Sequence, residues 1–346
     1  MAKKPCSVFA ALAVVTLLVA GCGSSRTDSS AQDSSSRASG TTAATGFPLT
    51  VENCGRKVTI KSPPQRVVLL GDEEVPLLAS VGALGKVVAK IGDYPTGIFG
   101  SSVDAALAKI PNLNSRVAGG GGAQASLESV ISQKPDLVIG YETTTVTRAG
   151  LQQAGIPLVV NPSFCGEVGG GDRGATVEPV SFGNVYDQVS FYGQLFGRRA
   201  QATSGVAQLK DRIAAVRNGY QRTSRTAAAL YVGKSAGLIE AYGGGSMVNA
   251  ELQAAGLVNV FGSAKSRVFS VSTESLLAKD PDVLILLSTG DPSSYRGKLL
   301  QVAGTEDLSA VKTNSLMPEF YLYADPATQL TVTGAERLAR KFGTAK

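Results

Sequence analysis

The sequence predicts an α/β protein of two lobes with mainly parallel sheets, joined by a single long rigid helix. Three observations carry that prediction. One helix–strand unit occurs twice, short apolar runs alternate with helical stretches, and a long helical pattern lies between the halves. In the first copy of the unit, Ser126-Leu127-Glu128-Ser129-Val130-Ile131 leads to Lys134-Pro135-Asp136-Leu137-Val138-Ile139. In the second, Ser272-Thr273-Glu274-Ser275-Leu276-Leu277 leads to Asp280-Pro281-Asp282-Val283-Leu284-Ile285. The two glutamates are 146 residues apart, with Pro-Asp at the same distance after each. A serine before the acidic residue caps a short helix, and the glutamate in its first turn favours the helix dipole. Proline ends the helix. The four apolar residues that follow make a buried strand of the kind parallel sheets require.

The remaining elements agree with that scheme. Strands are expected over Arg66–Leu70, Val87–Ile91, Leu137–Gly140 and Pro157–Val160 in the first half. In the second they are expected over Ala227–Val232, Val283–Leu287 and Phe320–Tyr323. Helices are expected over Leu77–Leu84 and Val248–Ala255, the latter ended by Gly256. Val206, Leu209, Ile213, Val216 and Tyr220 recur at helical steps within a run from Arg198 to Tyr220. Such a run spans about 35 Å at 1.5 Å per residue, long enough to brace two lobes. An ordinary surface helix of one large domain is the alternative.

The N-terminus has the layout of a secretory signal peptide: Lys3 and Lys4, then Val8–Ala20, apolar apart from Thr16. That stretch is too short to span a hydrocarbon core of roughly 30 Å as a helix. A short uncleaved anchor is the alternative. Val19-Ala20-Gly21-Cys22 resembles a bacterial lipobox, which implies lipidation of Cys22. Residues 22–46 are mostly Ser, Thr, Ala and Gly, a composition that makes a flexible tether. The organisation expected is therefore a signal peptide over 1–21, the tether, a first lobe over 47–197, a connecting helix over 198–222 and a second lobe over 223–346.

Four cysteines are present. With Cys6 in the signal peptide and Cys22 lipidated, Cys54 and Cys165 remain, and in an oxidising compartment they are expected to pair. Two separate buried thiols are the alternative, and two cysteines alone do not make a structural zinc site. Without Lys3 and Lys4 the charge balance is 31 basic to 27 acidic residues. No dense basic run with interleaved aromatics marks a nucleic-acid surface. Histidine and tryptophan are absent. That removes Ser-His-Asp and Cys-His catalysis and His-ligated metals or haem, so no enzyme activity, metal centre or cofactor is expected. Val232-Gly233-Lys234-Ser235 is no phosphate loop, because the glycine required five residues before Gly233 is Ala228. Gly166-Glu167-Val168-Gly169-Gly170-Gly171 belongs to a long irregular stretch and follows no strand–helix unit.

Several segments resemble the substrate-binding lipoproteins of ABC importers for ferric siderophores, haem and cobalamin. They are Val51-Glu52-Asn53-Cys54-Gly55-Arg56, Pro63-Pro64-Gln65-Arg66-Val67-Val68, Leu77-Leu78-Ala79-Ser80-Val81-Gly82-Ala83 and Gly92-Asp93-Tyr94-Pro95. Lys134-Pro135-Asp136-Leu137-Val138-Ile139 and Ala255-Gly256-Leu257-Val258-Asn259-Val260-Phe261 continue the match. The resemblance covers the chain after residue 47. It implies a monomer with a ligand held between two lobes and a permease dimer, with its ATPase, as partner. Glu128 and Glu274 match the family's permease-docking glutamates; helix capping alone is the alternative. The pocket is expected on loops leaving the C-terminal strand ends. Those loops carry Glu73, Glu74, Asp93, Tyr94, Tyr141 and Arg148 in the first lobe. In the second they carry Tyr242, Ser246, Phe269, Tyr295 and Arg296. A ferric siderophore saturates its own iron, so a binder without histidine suits it. Tyrosines to pack the chelate and arginines to meet its charge are the expected contacts. Gly119–Gly122 stand where the cobalamin-binding relative has a pocket tryptophan, which counts against cobalamin. An envelope protein that kept the fold without import is the other reading.

Overall fold

The chain opens on an antiparallel hairpin, β1 (Leu49–Asn53) and β2 (Arg56–Ile60), in register from Leu49↔Ile60 to Asn53↔Arg56. This computed structural model describes residues 46–114, 125–165, 179–233 and 238–346. The signal peptide, Cys22, nearly all of the tether and the glycine runs at 119–122 and 166–171 lie outside those residues. The hairpin turn is Cys54-Gly55, with φ of 52° and 69°, the left-handed pair that a two-residue type I′ turn demands. Cys54 is bonded to Cys165 across 111 residues, with 5.1 Å between their Cα atoms. The expected pairing is therefore present. In the chain-entropy account, closing a loop of that length stabilises the fold by about 5 kcal/mol.

The first sheet is parallel throughout, in the order β4-β3-β5-β6. Its strands are β3 (Val67–Leu69), β4 (Val87–Lys90), β5 (Leu137–Ile139) and β6 (Leu158–Val159). Alternate residues feed two cores. Val67, Leu69, Leu137 and Ile139 pack with α1 (Val75–Ser80) and α5 (Phe182–Leu195). Val68 and Val138 pack with Val130 of α3 (Leu127–Ser132) and Leu151 of α4 (Arg148–Gln153). A sheet covered on both faces needs continuous apolar strands, which is what the sequence supplies. Helix α1 is shorter than the 77–84 expected, because Gly82 turns left-handed at φ 66° and Leu84–Lys86 forms a separate 3₁₀ turn. Helix α2 (Ser101–Leu107) lies between β4 and α3 in sequence.

Helix α6 (Arg199–Gly219) is the long connector, 21 residues or about 32 Å. Its buried stripe is Ala202, Leu209, Ile213 and Val216. It packs on α1 and α5 of the first half, and on α7 (Met247–Ala254) and α11 (Gln329–Phe342) of the second. Arg212 pins it to α11 through a two-pronged pair with Glu336, both N–O distances being 2.8 Å.

The second sheet runs β11-β9-β8-β12-β13, with β10 also paired to β8. A short pairing of β7 (Tyr220–Gln221) with β14 (Thr344–Ala345) stands apart from it. Strands β8 (Thr226–Val232), β12 (Val283–Ser288) and β13 (Leu316–Phe320) are parallel. Strands β9 (Ile239–Tyr242) and β11 (Val268–Val271) add an antiparallel flank, and β10 spans Val258–Asn259. Helices α8 (Thr273–Lys279), α9 (Tyr295–Leu299) and α10 (Ser309–Lys312) complete this half. The strand expected at 320–323 lies instead over 316–320, and Tyr321–Tyr323 form a 3₁₀ turn. Pro318 sits inside β13, which is tolerated because β13 is an edge strand.

The repeated unit is the same in three dimensions. Ser126 and Ser272 each accept the backbone N–H three residues on, at 3.1 and 3.2 Å. Lys134 and Asp280, each just before its proline, turn left-handed at φ 50° and 33°. Asp136 then accepts the N–H groups of Gln65 and Arg66 at 2.7 and 2.9 Å, while Asp282 accepts Thr226 N–H at 2.7 Å. Each aspartate therefore clamps the start of the neighbouring strand, β3 or β8. That explains why Pro-Asp travels with the glutamate helix in both copies.

Candidate functional site

In the first sheet β4 lies to one side of β3 and β5 to the other, so the loops after β3 and β5 part at their C-terminal ends. Such a switch point is where open α/β sheets place ligands. The loop after β3 is Leu70-Gly71-Asp72-Glu73-Glu74, and that after β5 begins Gly140-Tyr141. Gly140 takes φ of 128°, and a Cβ there would lie 2.8 Å from that of Leu70. At Gly71 a Cβ would stand 2.1 Å from a carboxylate oxygen of Glu73, so only glycine lets that side chain fold back.

Across from this loop stands the end of β13. The Tyr321 hydroxyl donates to Glu73 Oε1 at 2.5 Å, joining the two lobes directly. Further contacts cross the same boundary. Tyr323 Oη donates to the Ile98 carbonyl at 3.4 Å, and Ala327 N–H donates to Ser163 Oγ at 3.2 Å. The Arg267 guanidinium lies 5.4 Å from the Phe164 ring centroid and is ion-paired with buried Asp325. Behind the loop, the Tyr192 hydroxyl of α5 donates to Glu74 Oε2 at 2.5 Å. Tyr94 donates to the Gly71 carbonyl at 2.7 Å.

Three consecutive acids in a confined space alter one another's ionisation. Burial, then the Glu73 carboxylate and Asp93, push the Asp72 carboxyl up to about 8. Burial pushes Glu74 to about 7, with Glu73 adding to the rise and the Tyr192 hydrogen bond opposing it. Tyr321 and Tyr94 are held well above the ordinary phenol range by burial and by the Asp72 and Glu73 charges. Tyr141 also acts on both tyrosines, which puts it in the same cluster. The seam between the lobes at this loop is thus built of tyrosine hydroxyls around carboxyl groups. It can accept hydrogen bonds and positive charge, and it opposes concentrated negative charge.

Of the expected contacts, Glu73, Glu74, Asp93, Tyr94 and Tyr141 are brought together here. Arg148 is not: it donates to the Leu158 carbonyl at 2.7 Å and Asn53 Oδ1 at 3.2 Å, within the first lobe. With Tyr141 it lines a separate cavity of about 430 Å³ beside the disulfide. Tyr242 and Ser246 are buried, and Ser246 Oγ donates to the Gly243 carbonyl at 2.7 Å. Phe269 packs edge-on against Phe261 at 5.6 Å. Tyr295 is 3% exposed and packs beside Tyr231 in the second lobe's own core, while Arg296 is exposed on α9. In this form those four second-lobe side chains from Tyr242 to Tyr295 serve packing. The second lobe offers Tyr321, Arg267 and Asp325 instead. Nothing in their local sequence announced them, apart from Tyr321 following an apolar strand. Glu128 and Glu274 are fully solvent-exposed at the starts of α3 and α8. Among the described residues no group of acids or cysteines forms a metal centre.

A family model described as periplasmic binding protein matches residues 67–317, spanning both sheets. The chain belongs to the periplasmic binding protein family. The members it resembles are solute-binding proteins, not enzymes. A relative from Halobacterium salinarum, named cobalamin-binding protein, is 28% identical over 252 residues, 70% of this chain and 59% of the relative. An uncharacterised ABC transporter substrate-binding lipoprotein of Bacillus subtilis is 27% identical over 214 residues, 60% of this chain and 56% of its own. The chain thus spans somewhat over half the length of these two relatives. A solved structure from Saccharomonospora viridis, described as an ABC-type Fe3+-hydroxamate transport system, superposes with a TM-score of 0.78 at 37% identity. The match covers 86% of this chain and all of that one.

The cleft's acids make a direct prediction about stability. Asp72 ionises near 3.8 when unfolded and near 8 when folded, so folding retains a proton between those values. Its contribution is neutral at pH 4, grows more destabilising as pH rises, and levels off above 8. Asp72→Asn should match the wild-type melting temperature at pH 4 and exceed it at pH 8.5, as read by circular dichroism without ligand. Equal melting temperatures at both pH values would contradict the half-buried placement of this carboxyl beside Glu73.

Proposed function

We propose that the protein is an extracytoplasmic, lipid-anchored solute-binding protein that captures a ferric siderophore of the hydroxamate class between its lobes. From there it delivers the complex to an ABC permease. The observation that carries the ligand class is the cleft itself: Glu73 bonded to Tyr321, with Asp72, Asp93, Tyr94 and Tyr141 around them. A tris-hydroxamate neutralises ferric iron, whereas a tris-catecholate leaves a strongly anionic complex that the Glu73 carboxylate opposes. Arg148 and Arg296, the arginines expected to meet a negative ligand, lie elsewhere, and Arg267 at the boundary is already ion-paired with Asp325. The charge of the ligand is therefore revised from anionic to neutral or cationic. The likeness to the Saccharomonospora structure points to the same class. Lipid attachment at Cys22 rests on the lipobox-like sequence and on the lipoprotein from Bacillus subtilis. Among the described residues no helix is long and apolar enough to cross a membrane.

The Halobacterium relative supports cobalamin as a second reading. A thermal-shift panel separates the two: a ferric tris-hydroxamate, a ferric tris-catecholate, ferric citrate, haem and cobalamin. Ligand at a hundred times its dissociation constant adds about 2.7 kcal/mol of stability. The hydroxamate should give the largest shift and the catecholate none. A cobalamin shift alone would establish the second reading, and a flat panel would favour an envelope protein without import.

Delivery rests on Glu128 and Glu274, one exposed acid per lobe at the start of matching helices. Charges of this kind chiefly set orientation and association rate. The double variant Glu128→Arg, Glu274→Arg should bind ligand as the wild type does and lose uptake in cells. Uptake at the wild-type rate would refute the docking role.

A further inference from the structure

A cavity of about 430 Å³ lies in the first lobe beside the Cys54–Cys165 bond, within the size range of small-molecule sites. Its lining includes Tyr141 and Phe164, whose rings are 5.5 Å apart and tilted, and Arg56 and Arg148. Arg56, Arg148 and Gln152 also line an adjoining cavity of about 380 Å³, so the two form one groove around the arginines. Two like charges at one groove are an unfavourable arrangement unless something compensates them.

The compensation present is incomplete. Glu142 stands 3.8 Å from Arg148 Nε. Among the described residues no carboxylate is ion-paired with Arg56. Burial lowers the ionisation range of Arg148; Glu142 opposes that shift, while the Arg56 charge adds to it. The two guanidinium groups therefore feel each other. Among the described residues the cavity lining holds two arginines and one carboxylate, Glu142, whereas acids dominate beyond Tyr141. Arg148 is held by the Leu158 carbonyl and Asn53 and adds its charge to the groove. The exposed Arg56 guanidinium is the planar fork that matches a carboxylate, and ring faces with the Val160 side chain suit an aromatic or short apolar body.

We infer that this groove is a second binding site, which takes an aromatic carboxylate on the Arg56 guanidinium, in the field of Arg148 and against the Tyr141 and Phe164 rings. It lies beyond the ligand class assigned to the cleft and does not depend on it. Tyr141 belongs to both sites. The carboxylate is either a free small molecule or an arm of the ligand seated in the cleft.

The probe is benzoate, with benzamide as its uncharged counterpart, titrated into the purified protein and followed by chemical-shift changes and calorimetry. Benzoate should bind at least about tenfold more tightly than benzamide, the ratio expected for one charge-assisted pair. Arg56→Gln should abolish that preference. Arg56 is exposed on β2, and a melting temperature within a degree or so of wild type checks that the variant folds. Ala149→Phe, at an exposed position on α4 that lines the cavity, should block both probes without touching a charge. Benzamide binding as tightly as benzoate, or Arg56→Gln leaving the preference intact, would overturn the inference. A pair of ferric hydroxamates differing only in an aryl carboxylate arm then separates the sources. A gain for the armed complex that Arg56→Gln removes assigns the arm; no gain, with benzoate binding intact, assigns a free molecule.

Discussion

Three consecutive carboxyl groups, Asp72, Glu73 and Glu74, sit where the two lobes meet, and the rest of the molecule is arranged around keeping them there. Burying a carboxylate costs several kcal/mol unless hydrogen bonds or protonation offset it. Both devices are used. Tyr192 from α5 donates to Glu74, Tyr321 from the opposite lobe donates to Glu73, and Asp72 retains its proton to about pH 8. Gly71 leaves the space that Glu73 needs. The connector α6 packs on both halves and, through Arg212 and Glu336, holds α11 behind the Tyr321 turn. In the proposed function, the Tyr321–Glu73 bond across this polar, partly protonated seam is the one that a ligand replaces.

Much of this frame was legible in the sequence. The duplicated helix–strand unit is visible because each copy is local: capping serine, first-turn glutamate, stop before proline and an aspartate that clamps the next strand. The parallel strands could be read as continuous apolar runs because helices cover both faces. The disulfide followed from counting cysteines outside the export segment. What escaped the reading depends on contacts distant in the chain. Tyr321 and Glu73 are 248 residues apart, and an aromatic run after Pro318 reads equally well as strand or turn. The antiparallel β9 and β11 contain Glu240 and Ser270 and carry no strong alternation. Tyr242 and Tyr295 show the other limit, since a tyrosine on a loop near a strand end can face a ligand or its own lobe's core.

Charge was the least legible property. The resemblance implied arginines that meet a negative ligand, yet the local field depends on which side chains converge. Acids gather at the switch point of the first sheet, and arginines gather around the groove beside the disulfide. Tyr141, at the end of β5, stands between the two. The protein thus presents opposite charge at two adjoining places, which is a stronger constraint on what it binds than its net charge.

The most direct test is anomalous diffraction at the iron edge from crystals of the protein loaded with a ferric tris-hydroxamate. The account predicts a single iron position between the 71–74 loop and Tyr321, with the Tyr321–Glu73 bond replaced by ligand contacts. An iron position outside that cleft, or loaded crystals in which the bond persists and no iron is found, would contradict it.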